Sequence, residues 1–110
     1  MQFMGCLYVA DSIGATQYKI IEKVHKSKLV PNLYLIALSA NPDNMLDLIP
    51  EWEALQKGYP RDELKVVGIA TGKKEAVALV TCIVEDAVAH TGHADVRPFL
   101  KMKWEEQACR

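Results

Sequence analysis

The sequence predicts a single α/β domain, and three features carry that prediction. Two apolar runs, residues 33–40 (LYLIALSA) and 65–70 (KVVGIA), are typical of central strands that are covered on both faces. Residues 73–91, which follow Gly72 directly, carry apolar side chains at the spacing of a long amphipathic helix. We expect a sheet of about four strands with this helix packed on it. The two apolar runs should be neighbouring parallel strands of a β-α-β unit.

Length, composition and charge narrow the class of protein further. The chain has 110 residues, of which 50% are hydrophobic and 25% charged, as in one globular domain. Its net charge of −1 lacks the basic excess of a nucleic-acid-binding protein, and no apolar run reaches the ~20 residues of a membrane span. The N-terminus has no signal-peptide pattern, and the three cysteines have no CxxC spacing. We therefore expect a cytoplasmic protein with no cofactor and no nucleic-acid or membrane partner.

The N-terminal part of the chain is expected to supply two further strands. Residues 3–10 (FMGCLYVA) are apolar and rich in strand-forming side chains, and residues 11–14 (DSIG) follow as a turn. Residues 18–24 are ambiguous, because their apolar side chains scatter around a helical wheel but mostly share one face of a strand. We favour a strand here, forming a hairpin with the strand that follows it.

The segment between the two central strands is predicted to be helical. The Asn-Pro-Asp sequence at 41–43 offers a helix N-cap followed by proline at the first helical position. Because Pro50 would break a helix, we expect two short helices, over residues 42–48 and from 50 to about 57. They would form the crossover between the two parallel strands.

The residues after the long helix are expected to form its cap and a docked tail. Gly92 is a typical residue for ending a helix. Residues 93–110 carry one apolar cluster and then a polar end. We expect the first part of this segment to pack on the domain and residues 101–110 to be a partly frayed tail. The single domain thus spans residues 1–110.

A candidate ligand site follows from the predicted strand directions. If strands 3–10, 33–40 and 65–70 all run parallel, their carboxyl ends bring three loops to one edge, where open α/β sheets bind ligands. The polar residues of these loops are Asp11, Ser12, Ser39, Asn41, Thr71, Gly72 and Lys73. The expected ligand is a small anion, bound by the free amides after Gly72 and by the Lys73 ammonium. The alternative is that these residues only make turns and caps.

Other residues whose side chains could bind a metal or act as a nucleophile are better explained by structural roles. His90 and His93 have an HxxH spacing that suits a transition metal, but His90 falls towards the buried side of the helical wheel. Cys82 lies in mid-helix with no histidine beside it in sequence, so we expect it to be a packing residue. We predict no metal site and no phosphate-binding loop of the Walker type, whose spacing the sequence does not match.

Two functions from different classes remain open. The favoured one is a non-catalytic module that self-associates, as a two-fold homodimer, and binds a small anionic ligand at the strand-end edge. Self-association is expected because the chain is rich in apolar residues and its tail carries Phe99, Met102 and Trp104, which need cover. The alternative is a small enzyme that acts on a phosphate- or carboxylate-bearing metabolite at the same edge, with Asp11 or Lys73 as the ionisable group.

Overall fold

Four strands form one mixed sheet in the computed structural model, which describes residues 1–39, 41 and 43–107. The spatial order of the strands is β1-β4-β2-β3. The strands are β1 (Gln2–Val9), β2 (Leu33–Leu38), β3 (Leu46–Pro50) and β4 (Lys65–Thr71). The helices are α1 (Gln17–His25), α2 (Glu51–Ala54), α3 (Lys73–Thr91) and α4 (Val96–Gln107). The predicted class, an α/β domain with a four-stranded sheet and a long helix near the C-terminus, is confirmed.

The directions of the strands differ from the prediction at one decisive place. The two central strands, predicted over 33–40 and 65–70, are neighbours as expected, but β2 runs antiparallel to β4. The parallel pair is β1 and β4 instead. The reason lies in residues 39–45, because this segment is too short for the crossover of about a dozen residues that parallel neighbours need. The chain therefore turns back as a hairpin, and β3 pairs antiparallel with β2. Residues 51–64 then supply the crossover, so β4 runs in the same direction as β3 on the other side of β2, and is antiparallel to β2.

The predicted helix over 42–48 is wrong, since β3 begins at Leu46. Asn41 accepts a hydrogen bond from the Asp43 amide through Oδ1 at 3.0 Å, and its carbonyl accepts one from the Asn44 amide at 3.0 Å. An asparagine side chain satisfies a following amide equally well in a turn and at a helix start, so the same residue type serves both. The second predicted helix exists but is shorter, because α2 covers only Glu51–Ala54.

Residues 18–24 form most of α1, so the predicted strand there is also wrong. Val24 is buried and Ile20 packs beside it against the sheet, whereas Tyr18 is 74% exposed. Ile20 and Val24 lie four residues apart, a spacing that places two side chains on one face of a helix and equally on one face of a strand. The apolar pattern alone therefore did not separate the two structures.

The long helix α3 matches its predicted bounds. It begins after Gly72, whose φ is 80°, and ends at Gly92, whose φ is 77° and whose amide donates to the Val88 carbonyl at 2.8 Å. Such left-handed backbone favours glycine, because other residues carry a Cβ that clashes there. No helix within the described residues combines the length and apolarity needed to cross a bilayer.

The segment after α3 docks as a second helix on the same side of the sheet. Val96, Phe99 and Leu100 are buried at the spacing of one helical face and pack in the same cluster as Met4 and Ile83. The docking expected for the first part of the tail is confirmed. Residues 101–107 continue this helix, and the remainder of the predicted frayed segment, 108–110, lies outside the described residues.

The opposite face of the sheet contains the one charged side chain that is buried in the described part of the chain. Glu51 is 1% exposed, and its Oε1 accepts a hydrogen bond from the Val30 amide. Its Oε2 has no hydrogen-bond partner. Burial raises the pKa of the Glu51 carboxyl, and the Val30 hydrogen bond opposes this rise. Glu51 thus joins the loop before β2 to the corner between β3 and α2.

Replacement of Glu51 by glutamine should change how stability depends on pH. Because the folded-state pKa is raised, the stabilising contribution of Glu51 is complete below its ordinary pKa of 4.5 and is lost as the pH rises through the folded-state value. We expect the free energy of unfolding of the native protein to fall relative to that of Glu51→Gln, with a slope approaching ~1.4 kcal/mol per pH unit in that window. Urea unfolding at pH 4, 5, 6 and 7 measures this difference. The exposed Glu85→Gln serves as the control, and parallel pH profiles for native protein and Glu51→Gln would contradict the prediction.

Candidate functional site

The structure brings together two of the three loops of the predicted site. Because β1 and β4 are parallel, the residues that follow them lie side by side at one edge of the sheet. The Ser12 hydroxyl after β1 donates to Oε1 of Glu75, and the Thr71 amide at the end of β4 donates to the same oxygen at 3.0 Å. Gly72 and Lys73 continue from Thr71 into α3. This edge is therefore a real junction, with Glu75 joining its two loops.

The third predicted loop lies at the opposite edge of the sheet. Since β2 runs antiparallel to β4, its end at Ser39 and the following Asn41 lie near the start of β4. The start of β2 lies near the predicted edge instead, where the Asn32 carbonyl accepts from the Gly72 amide at 2.7 Å. The combination of Ser39 and Asn41 with Asp11 in one site was thus wrong.

Electrostatics at the start of α3 act against the expected anion. A cleft of about 280 Å³ here, which we call the α3 cleft, is lined by the carboxylates of Asp11 and Glu75 and by Cys82. The hydrogen bonds from Ser12 and Thr71 lower the pKa of Glu75, so its charge persists at neutral pH. The Thr71 amide, at the end of β4 and just before α3, is therefore already bonded to an internal carboxylate. Anion binding at Gly72 and Lys73 stays a prediction, which two negative charges oppose.

A larger concentration of positive charge lies at the other edge. A cleft of about 330 Å³, which we call the α4 cleft, opens between the end of β2, the start of β4 and one face of α4. Its polar lining consists of Ser39, Lys65, Arg97, Lys101 and Glu105. Three cations therefore face one carboxylate around this cleft.

The cations of the α4 cleft differ in whether they form an ion pair. Arg97 donates through Nε to Asp95 Oδ1 and through Nη2 to Oδ2, both at 2.9 Å. These bonds and the Arg97 amide lower the pKa of Asp95 to about 2. Lys65 and Lys101 are exposed, and neither forms an ion pair within the part of the chain that the structure describes. Two ammonium groups are thus available to a ligand, and Arg97 is held beside them.

The rest of the α4 cleft is apolar. Leu38, Met45 and Trp104 complete its lining. Leu38 and Trp104 are half-buried and also pack against the core cluster of Phe99 and Leu100, which fixes them in place. A small ligand here would meet an apolar wall on one side and ammonium groups on the other, the usual composition of a small-molecule site.

Sequence reasoning missed the α4 cleft although part of its signal was present. Arg97, Lys101 and Glu105 recur every four residues and Trp104 lies beside them, which places all four on one face of a helix. That face is next to the buried stripe of α4. Lys65 could not be joined to this set without knowing that the start of β4 and the end of β2 share an edge.

A third polar group connects three elements on the α4 side of the sheet. The Tyr8 hydroxyl on β1 donates to Asp86 Oδ2 of α3 at 2.7 Å. Lys103 Nζ of α4 lies 4.9 Å from the centroid of the Tyr8 ring and 5.4 Å from that of Phe99. Burial and then the Asp86 carboxylate raise the pKa of Tyr8, so its hydroxyl stays protonated. This group is a clamp between β1, α3 and α4, because a protonated tyrosine is a donor and not a base.

The histidines and Cys82 do not adopt their expected surroundings. His90 is exposed, contrary to the buried side predicted for it, with Nδ1 2.8 Å from the Asp86 carbonyl oxygen and its ring 5.3 Å from that of Phe99. Cys82 is an exposed free thiol at the α3 cleft and not a packed core residue. Within residues 1–39, 41 and 43–107, no three His, Cys, Asp or Glu side chains lie close enough to hold a metal ion.

Comparisons with protein-family models, with curated proteins and with solved structures give no significant match for this chain. An α/β architecture on its own does not define an activity, because such folds carry many unrelated functions. Function is therefore inferred from the charges and shapes of the two clefts.

Removal of the Tyr8 hydroxyl should weaken the clamp. Tyr8→Phe leaves the half-buried Asp86 carboxylate without this donor, and we expect a loss of about 1–2 kcal/mol in the free energy of unfolding. Urea unfolding measures the loss. Tyr18→Phe is the matched control, because Tyr18 is 74% exposed and its replacement should change stability by less than about 0.5 kcal/mol. Equal effects of the two substitutions would show that the clamp contributes nothing.

Proposed function

We propose that this protein is a non-catalytic binding module that takes a small anionic ligand in the α4 cleft. The proposal rests on two lysines, Lys65 and Lys101, whose ammonium groups lie beside an apolar wall. Neither lysine forms an ion pair within the described part of the chain. Arg97 adds a third positive charge. Because Asp95 offsets the charge of Arg97, an anion gains Coulomb energy mainly from the two lysines, and its apolar part gains from leaving water.

Binding without catalysis is supported by the ionisable groups around the α4 cleft. General acid–base catalysis works best with a group whose pKa lies near the working pH. The pKa of Asp95, a carboxyl next to this cleft, is lowered to about 2 and so lies far from neutral pH. Lysine and arginine then serve to hold charge and orient the ligand.

The second candidate is a small enzyme acting at the β1–β4 edge. One observation favours it, because Asp11, Glu75 and the exposed Cys82 thiol line the α3 cleft together. Among the described residues, the lining of this cleft includes no histidine that could activate the thiol. Asp11 and Glu75 would also repel a phosphate- or carboxylate-bearing substrate. We therefore prefer the binding module.

The proposal includes a cytoplasmic location and self-association. Exposed free thiols at Cys6 and Cys82 support a reducing compartment. The tail supplies little motive for a dimer, because Phe99 is 2% exposed and Trp104 half-buried within their own chain, which leaves only Met102 of the three uncovered. The motive comes from Leu29 and Trp52, which are 58% and 56% exposed around a groove on the other face.

Sedimentation velocity at about 50 μM should give the mass of a two-fold dimer. Trp52→Ser should shift the protein towards monomer, because it removes the largest exposed apolar side chain of that groove. Met102→Ser is the control, since Met102 is 45% exposed and does not line that groove. A clean monomer mass for the native protein would remove self-association from the proposal.

Anion binding is tested by NMR titration with acetate, inorganic phosphate and benzoate. We expect millimolar ligand to shift the amides of Ser39, Lys65 and Lys101, and Lys101→Gln to weaken binding at least about threefold through the lost charge. Lys19→Gln, an equal charge change on the exposed part of α1, is the control.

Lys73→Gln separates the two candidate sites in the same titration. Its affinity should equal that of the native protein, because Lys73 lies at the other edge of the sheet. Ligand shifts confined to residues 71–75 and lost in Lys73→Gln would place the anion at the start of α3 and overturn the proposed site.

A further inference from the structure

We propose that the α4 cleft selects singly charged carboxylates that carry an aromatic or apolar body, and that Glu105 sets this selectivity by repelling a second negative charge. The inference rests on the proposed function and names the ligand class of that site. Its physical basis is the balance of fixed charges around the cleft, together with the size and chemistry of its apolar wall.

The charge balance of the cleft favours one negative charge on the ligand. Lys65, Arg97 and Lys101 contribute three positive charges, and Asp95 and Glu105 oppose two of them. One positive charge therefore remains for the ligand to neutralise. A dianion would leave one of its own charges uncompensated while losing hydration around both, since the lining of the cleft within the described residues holds no further cation.

The geometry of Arg97 reinforces this preference. Strong binding of phosphate commonly uses the guanidinium fork, in which two N–H groups meet two oxygens. In this protein Nε and Nη2 of Arg97 already donate to the two Asp95 oxygens. Ligand recognition then depends on Lys65 and Lys101, whose ammonium groups act as point charges without bidentate geometry.

Glu105 is the residue that makes the cleft selective. It follows Lys101 by four residues, so both side chains lie on the same face of α4 and line the cleft together. Glu105 is exposed and forms no ion pair within the described chain, so its carboxylate is not held against one cation and stays open to a ligand. A ligand that approaches Lys101 must therefore place its outer oxygens within the field of this carboxylate.

The apolar wall determines the body of the ligand. Trp104 offers part of an indole ring, against which an aromatic ring can pack edge-to-face or offset-stacked, and Leu38 and Met45 extend that surface. The volume of about 330 Å³ is at the small end of the range for ligand sites, ~300–1,000 Å³. It suits a single-ring carboxylate and is small for a nucleotide.

Trp104 also provides a direct readout of binding. The chain has two tryptophans, and the other one, Trp52, lies outside the α4 cleft. In Trp52→Phe the tryptophan fluorescence therefore comes from Trp104 alone. Four ligands are titrated into this variant at pH 8: phenylacetate, phenyl phosphate, the neutral phenylacetamide and inorganic phosphate. Phenyl phosphate carries about two negative charges at this pH.

The expected order of affinity is phenylacetate, then phenyl phosphate, with phenylacetamide and inorganic phosphate weakest. Adding Glu105→Gln should increase the affinity for phenylacetate about threefold and that for phenyl phosphate about tenfold. The reason is that removing one negative charge at a distance of ~6 Å relieves one repulsion for a monoanion and two for a dianion. Glu106→Gln is the matched control, since it makes the same charge change on α4 at a position that does not line the cleft. It should alter the ratio of the two affinities by less than about 1.5-fold.

The outcomes separate the inference from the proposed function. If phenyl phosphate binds more tightly than phenylacetate, or if Glu105→Gln leaves their ratio unchanged, the selectivity is overturned while the anion site stands. If phenylacetamide binds as tightly as phenylacetate, or if none of the ligands changes Trp104 fluorescence, the proposed function fails together with the inference. Tightening of phenyl phosphate in Glu105→Gln but not in Glu106→Gln supports the inference.

Discussion

The antiparallel pairing of β2 with β4 determines which strand ends form the floor of the α4 cleft. Because the two strands run in opposite directions, the end of β2 at Leu38 and the start of β4 at Lys65 meet at the same edge of the sheet. A parallel pair would place these residues at opposite edges. The meeting of Lys65 with the hydroxyl of Ser39 in one cleft depends on this pairing.

The helix that completes the cleft serves the fold and the site with different faces. Val96, Phe99 and Leu100 are buried against the sheet and α3, which fixes the position of α4. The neighbouring face places Arg97 and Lys101 at the cleft, and the packing of the buried face holds their backbone positions fixed. The site is therefore built on a rigid element, which favours binding without a large rearrangement.

The sequence predicted those elements whose signals lie in neighbouring residues and failed where the structure depends on distant contacts. The segment from β4 through α3 was predicted correctly, because an apolar run, a glycine at a positive φ and a helical repeat all lie within 27 consecutive residues, 65–91. Residues 18–24 were not, because the four-residue spacing of Ile20 and Val24 fits a helix and a strand alike. Strand direction depends on whether residues 39–45 turn back or cross over. The capping chemistry of Asn41 is common to both.

The candidate site shows the same limit in its electrostatics. A net charge of −1 gives no indication that carboxylates and lysines line clefts at different edges of the sheet. The carboxylates of Asp11 and Glu75 line the cleft at one edge of the sheet, while Lys65 and Lys101 line the cleft at the other. Local potentials of this kind, and not the total charge, direct a charged ligand to its site. The sequence suggested an anion, and the antiparallel β2 moves the position that we propose for it from the start of α3 to the side of α4.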